Sequence, residues 1–154
     1  MTVPVLTKER WNLQLSERNK KVVERLINTV FINHDLSILD EIMRDDYIQH
    51  NDIAAQGKAG FIALFKQTFI AMPDFKYQIN HLVAEDDYVV AYCTTIATHN
   101  GGDWLNFPPR GGKLHFDVVD IFRLQDGKIA EHWDVADRLT LFTQLGVVKD
   151  IETP

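Results

Sequence analysis

Three runs of strand-like residues carry ionisable groups where apolar ones would be expected. They are Tyr47-Ile48-Gln49-His50, Phe116-Asp117-Val118-Val119-Asp120-Ile121-Phe122, and His132-Trp133-Asp134. A charge in the middle of a strand either faces water or is buried with a partner. Strand alternation puts Phe116, Val118, Asp120 and Phe122 on one face, and Asp117, Val119, Ile121 and Arg123 on the other. Asp120 therefore shares a face with aromatic and aliphatic side chains. Desolvation there raises a carboxyl's pKa and suits it to proton transfer, so a nearby histidine would complete a general acid–base pair.

Which histidine reaches Asp120 depends on one hairpin. Asp126-Gly127 is the strongest turn signal in the chain, because both residue types tolerate positive φ. A two-residue turn sets Asp120 opposite Trp133 and leaves His132 opposite Ile121 on the reverse face. A three-residue turn slips the register by one and brings His132 round to the Asp120 face. The sequence leaves both open.

Other chemistries find less support. His50, His132 and Asp120 are metal-ligand types, but no helical His-x-x-x-His spacing or dense ligand motif accompanies them, so no metal is expected. Cys93 is the single cysteine and lies in an apolar alternating run, where a thiol is buried and inert. There is no Gly-x-Ser-x-Gly elbow, and Gly101-Gly102 and Gly111-Gly112 lack the context of a dinucleotide loop. No cofactor is expected. His99 opens the long loop 100–112 and is the best secondary candidate; His81 and His115 read as structural or solvated.

These groups must be held by a single domain. At 154 residues, with 45% hydrophobic and 25% charged residues, the chain has the composition of an ordinary globular unit. No run approaches a membrane span and no signal-peptide pattern opens the chain, so a cytoplasmic location without a membrane partner is expected. Its net charge of −6 argues against a nucleic-acid partner. Residues 1–15 read as an N-terminal arm and 16–154 as the domain, with Ser16 as the expected N-cap of a helix whose stripe runs through Val22, Val23, Leu26, Ile27, Val30 and Phe31. A short helix with Leu36, Leu39, Ile42 and Met43 apolar, running toward Arg44, a strand over 47–50 and a helix from Lys58 to about Met72 follow. Period-two runs then cover 75–85, 88–98, 113–124 and 129–135. Helices followed by consecutive strands mark an α+β domain.

The segments Tyr47-Ile48-Gln49-His50-Asn51, Phe107-Pro108-Pro109-Arg110-Gly111-Gly112-Lys113, Asp120-Ile121-Phe122-Arg123, and Asp126-Gly127 through Glu131-His132-Trp133-Asp134 resemble the SnoaL-like polyketide cyclases of the nuclear transport factor 2-like superfamily. The resemblance spans roughly residues 16–148. It implies a cone-shaped fold in which N-terminal helices pack on a curved antiparallel sheet and enclose a pocket, with the opposite sheet face supporting a homodimer. It also implies an intramolecular aldol condensation without metal or organic cofactor, with Asp120 matching the general acid/base. His50 and the His132-Trp133 pair match pocket-lining positions. Close relatives continue His-Asn with Pro, where this chain has Asp52, which alters the loop at the pocket mouth.

The expected function is a cyclase, lyase or isomerase that moves protons on a small, apolar carbonyl compound. Asp120, His50 and His132 are the expected catalytic groups, and Asn51, Phe116, Val118, Phe122, Trp133 and His99 the expected substrate contacts. The alternative is a non-catalytic binding or dimerisation domain whose His/Asp cluster is a satisfied polar network. A protein-docking role has little support.

Overall fold

Helix α1 starts at Lys8 and runs to Leu26 in the computed structural model, which describes residues 7–149. Its cap is Thr7, whose hydroxyl accepts the Arg10 N–H, rather than Ser16. Residues 8–15 are thus part of this helix; residues 1–6 lie outside the described residues. Lys8 to Leu15 contains no helix breaker, and the apolar stripe continues back through Leu15 once Asn19 is counted in it. Asn19 is buried and donates to the Asp86 carbonyl at 3.2 Å, so a satisfied polar group interrupts the hydrophobic pattern. The helix then widens into π-helical turns over Ile27–Ile32, burying Ile27, Val30 and Phe31.

Helix α2 (Leu39–Ile42) is only one turn long, because Met43 already pairs as the first residue of β1 (Met43–Gln49). Helix α3 (Gly57–Ala71) ends before Pro73. Four longer strands follow: β2 (Lys76–Glu85), β3 (Tyr88–His99), β4 (Gly112–Gln125) and β5 (Lys128–Ala136). A last helix, α4 (Arg138–Gln144), was not anticipated. Asp137 caps it by accepting the Thr140 N–H at 3.1 Å.

The strands form one curved open sheet in the order β1-β5-β4-β3-β2. The pairings among β2 to β5 are antiparallel, but β1 lies parallel to β5, so the sheet is mixed rather than wholly antiparallel. Its inner face contributes Val89, Ala91, Cys93, Leu114 and Phe122 to the core, against Leu26, Val30 and Phe61 from the helices. Phe31 packs on Phe65 and Tyr77, each with ring centroids 4.7 Å apart. Val83, Tyr88 and Val135 on the outer face remain exposed. No helix among the described residues is long and apolar enough to cross a membrane.

The β4–β5 hairpin decides the register. Asp126 and Gly127, at φ of 53° and 76°, form a two-residue turn between Gln125 and its partner Lys128. Leu124 faces Ile129, but Arg123 faces Glu131, so Ala130 is an extra residue in β5. This bulge reverses the in/out sense of everything beyond it. Asp120 thereby faces Asp134, Phe122 faces His132, and Ile121 faces Trp133.

Candidate active site

A cavity of about 90 Å³ lies between the inner sheet face, α3 and α4. Asp120, His132 and Asp134 enter it from β4 and β5, Gln49 from the end of β1, and Asn51 from the loop beyond. Aromatic side chains including Phe65, Phe75, Tyr77, Trp104 and Phe116 form much of the remaining wall. Neither lysine nor arginine lines it among the described residues.

At its polar end, Asp120 Oδ1 lies 2.8 Å from His132 Nε2, with both side chains almost wholly withdrawn from solvent. Phe122 stacks on the His132 ring at 4.7 Å and 12°, which fixes the imidazole plane. On its other edge, His132 Nδ1 lies 3.2 Å from Gln49 Oε1. Asn51 donates its side-chain amide to Asp134. Burial pushes the Asp120 pKa up; the bond and charge of His132 oppose that shift, and the Asp134 charge adds to it.

The Tyr77 phenol is pushed well above its ordinary value, chiefly by burial and then by the Asp120 charge, so it remains a proton donor at neutral pH. Cys93, behind Asp120, is pushed up to about 12 by burial, which makes it inert as a nucleophile.

Two buried side-chain atoms among the described residues have no hydrogen-bond partner: Asp120 Oδ2 and Thr95 Oγ1. Both residues line this cavity. Buried polar atoms left unpaired are uncommon, and a pair of them in one cavity wall marks where a ligand or water supplies the missing bonds.

Residues 21–145 match the family model of the SnoaL-like polyketide cyclases. The chain belongs to this family. Among solved structures, the SnoaL-like chain is similar to TsrD from Streptomyces laurentii, with a TM-score of 0.77 and 27% identity over 86% of this chain and 97% of that one. It is similar to AclR from Streptomyces galilaeus, a candidate hydroxylase, with a TM-score of 0.78 and 26% identity over 88% and 85% of the two chains. The fold is also that of a SnoaL-like protein from Jannaschia sp. CCS1, with a TM-score of 0.78 at 22% identity over 95% and 99%. No curated protein matches the sequence.

Of the residues singled out in the sequence, this SnoaL-like cavity brings together Asp120, His132, Asn51, Phe116 and Val118. Phe122 touches the site only through its stack on His132. His50 and Trp133 are corrected to the outer side of the sheet. There their rings stack at 4.4 Å and 3°, and His50 Nε2 lies 2.9 Å from Glu131 Oε2. The cause for Trp133 is the Ala130 bulge; for His50 it is alternation, which points Gln49 inward and its successor out. His99 is buried but makes no part of the cavity wall. Its Nε2 is 2.8 Å from the Gly102 carbonyl, which anchors the base of the long loop.

Gln49, Asp134, Tyr77, Thr95 and Trp104 were missed as site residues. Asp134 follows His132 by one alternation period, and Gln49 occupies the inward position beside His50; parity was the available signal for both. Trp104 reaches the wall from within the long loop, held by its Nε1–H donating to Thr68 Oγ1 at 3.0 Å. Nothing local in the sequence marks that contact. Among the described residues, no three His, Cys, Asp or Glu side chains converge as a metal site.

Proposed function

We propose that this SnoaL-like protein catalyses a cofactor-free proton transfer on a small neutral carbonyl compound, of the aldol-cyclisation type. The observation that carries the reading is the unpartnered Asp120 Oδ2, buried in the wall of an aromatic cavity while Oδ1 is held by His132. A carboxylate so placed can take a proton from the carbon α to a carbonyl. The resulting enolate carbon attacks a second carbonyl of the same molecule, forming one C–C bond. The new alkoxide then takes the proton back from the Asp120–His132 pair, so the reaction is a net isomerisation. Tyr77 and Thr95, in the same wall, offer hydroxyl donors to the developing oxyanion.

The substrate class follows from the wall. Two carboxyl groups and no lysine or arginine disfavour an anion, and the aromatic lining favours a ring or flat conjugated chain. The cavity is small against the ~300–1,000 Å³ of drug-sized ligand sites, so its mouth opens to admit such a substrate. Asp52 bonds Arg138 at 2.5 Å, joining the loop after β1, whose Asn51 and Ile53 line the cavity, to the start of α4, whose Leu141 does the same. We also propose that a second copy covers the outer sheet face, where Val83, Tyr88 and Val135 stand exposed.

The test is deuterium uptake at the α-carbon of aryl ketones in heavy water, with retro-aldol cleavage of β-hydroxy aryl ketones run alongside. The wild-type protein is expected to accelerate at least one of them and Asp120→Asn to abolish the effect. Tight binding of such compounds without exchange or cleavage would support the binding-domain alternative instead.

A further inference from the structure

We infer that Gln49 is a positioning residue that fixes the tautomer of His132, and so confines the proton of the pair to the line between His132 Nε2 and Asp120 Oδ1. The inference deepens the acid–base reading of the site and rests on it for its catalytic meaning. Its structural content is independent of any substrate.

The argument begins with a backbone group that can only donate. The Asn51 N–H points at Gln49 Oε1 at 3.1 Å, so that atom must be the amide oxygen. The amide nitrogen then faces the Tyr47 hydroxyl at 2.9 Å and donates to it. With its oxygen thus assigned, Gln49 can only accept from His132 Nδ1, 3.2 Å away, and Nδ1 must carry a hydrogen. A neutral imidazole protonated at Nδ1 leaves Nε2 as the acceptor toward Asp120. The pair therefore holds one proton between Nε2 and Oδ1. It sits on the carboxyl with a neutral ring, or on the ring with a carboxylate. In either state Nδ1–H is unchanged and Oδ2 remains free for the ligand.

The lever is itself rigid. Gln49 is 2% exposed and pairs in register with His132 across the parallel β1–β5 edge. Its backbone is clamped on both sides by the Gln56 side chain, whose Oε1 accepts the Gln49 N–H at 3.2 Å and whose Nε2 donates to the Gln49 carbonyl at 2.5 Å. The same two glutamines thus tie the ring tautomer to the loop at the cavity mouth. Without Gln49, the opposite tautomer, with Nε2–H donated to an Asp120 carboxylate and Nδ1 bare, would compete, and the resting pair would hold one proton fewer.

The test is nitrogen-15 NMR of the His132 ring in the intact, unliganded protein, assigned by loss of its signals in His132→Gln. The wild-type ring is expected to show a protonated Nδ1 throughout the folded pH range. In Gln49→Met the buried Nδ1–H loses its acceptor, and the tautomer ratio is expected to move by about tenfold or more toward Nε2–H. Gln49→Glu supplies acceptors for His132, the Asn51 amide and the Tyr47 hydroxyl, and is expected to restore the wild-type ring pattern. An unprotonated Nδ1 in the wild-type protein overturns the inference, even should Gln49→Met fail to fold. So does a folded Gln49→Met whose ring spectrum is that of wild type. Absence of α-proton exchange on every ketone would instead defeat the functional reading and leave the tautomer result standing.

Discussion

Asp120 carries opposite demands at the scale of a single residue. Burial raises its pKa, the facing Asp134 adds to that, and His132 pulls the other way. Because burial dominates, the native protein holds this proton to higher pH than the unfolded chain does. Stability from this group is thus fully present below the ordinary carboxylate range and is lost as pH rises through the raised native value. Asp120→Asn removes that loss and can still donate to His132. Thermal melts between pH 4 and 8 are expected to show the variant gaining on wild type as pH rises, while α-proton exchange falls by about 10²- to 10⁴-fold. An unchanged pH profile of stability would place the proton elsewhere. His50 gives the contrast. It stacks on Trp133 and pairs with Glu131 on the outer face, so His50→Ala is expected to keep turnover within about twofold and cost under about 1 kcal/mol in a denaturant titration.

Among elements, the β4–β5 hairpin has the largest consequence. Its turn needs two residues at positive φ, and only the glycine adopts that conformation without penalty. A side chain at Gly127 would meet no atom within 4 Å, so Gly127→Ala isolates the backbone term. It is expected to cost about 1–2 kcal/mol in chemical denaturation. The mouth is an element-scale feature as well. The bond of Asp52 to Arg138 links two segments that otherwise meet the cavity separately, through Ile53 and Leu141. Asp52→Asn leaves an exposed pair broken and the wall intact. It is expected to raise the association rate of an aryl ketone in stopped-flow measurements without a matching change in melting temperature; an unchanged rate would mean that access runs by another path.

At the scale of the whole molecule, the sheet is used asymmetrically. Its inner face is filled by the helices except where the cavity remains, while its outer face exposes Val135 at 70% and Val83 at 60% of their surface. A second copy on that face would bury these side chains and the edges of the Trp133 and Tyr88 rings. Light scattering during size exclusion is expected to give a dimer for the wild type, and a monomer with unimpaired folding for Val135→Glu. A monomeric wild type at high concentration would remove the dimer from the proposal and leave the cavity chemistry untouched.

Local chemistry was enough to read much of this protein. The switch from three-to-four periodicity to alternation separates helices from strands, and the alternation around Asp120 by itself places that residue among apolar side chains. The turn at Asp126-Gly127 was equally legible, because positive φ is a property of the residues that adopt it. What the sequence could not supply was parity beyond an extra residue. Ala130 looks like any other strand alanine, yet as the unpaired residue of a bulge it turned His132 inward and Trp133 outward. The parallel seating of β1 on β5 likewise brought Gln49 to His132 across a gap of 83 residues. Pairing partners are chosen by burial and hydrogen bonding summed over the whole sheet, and no window of local sequence contains that sum.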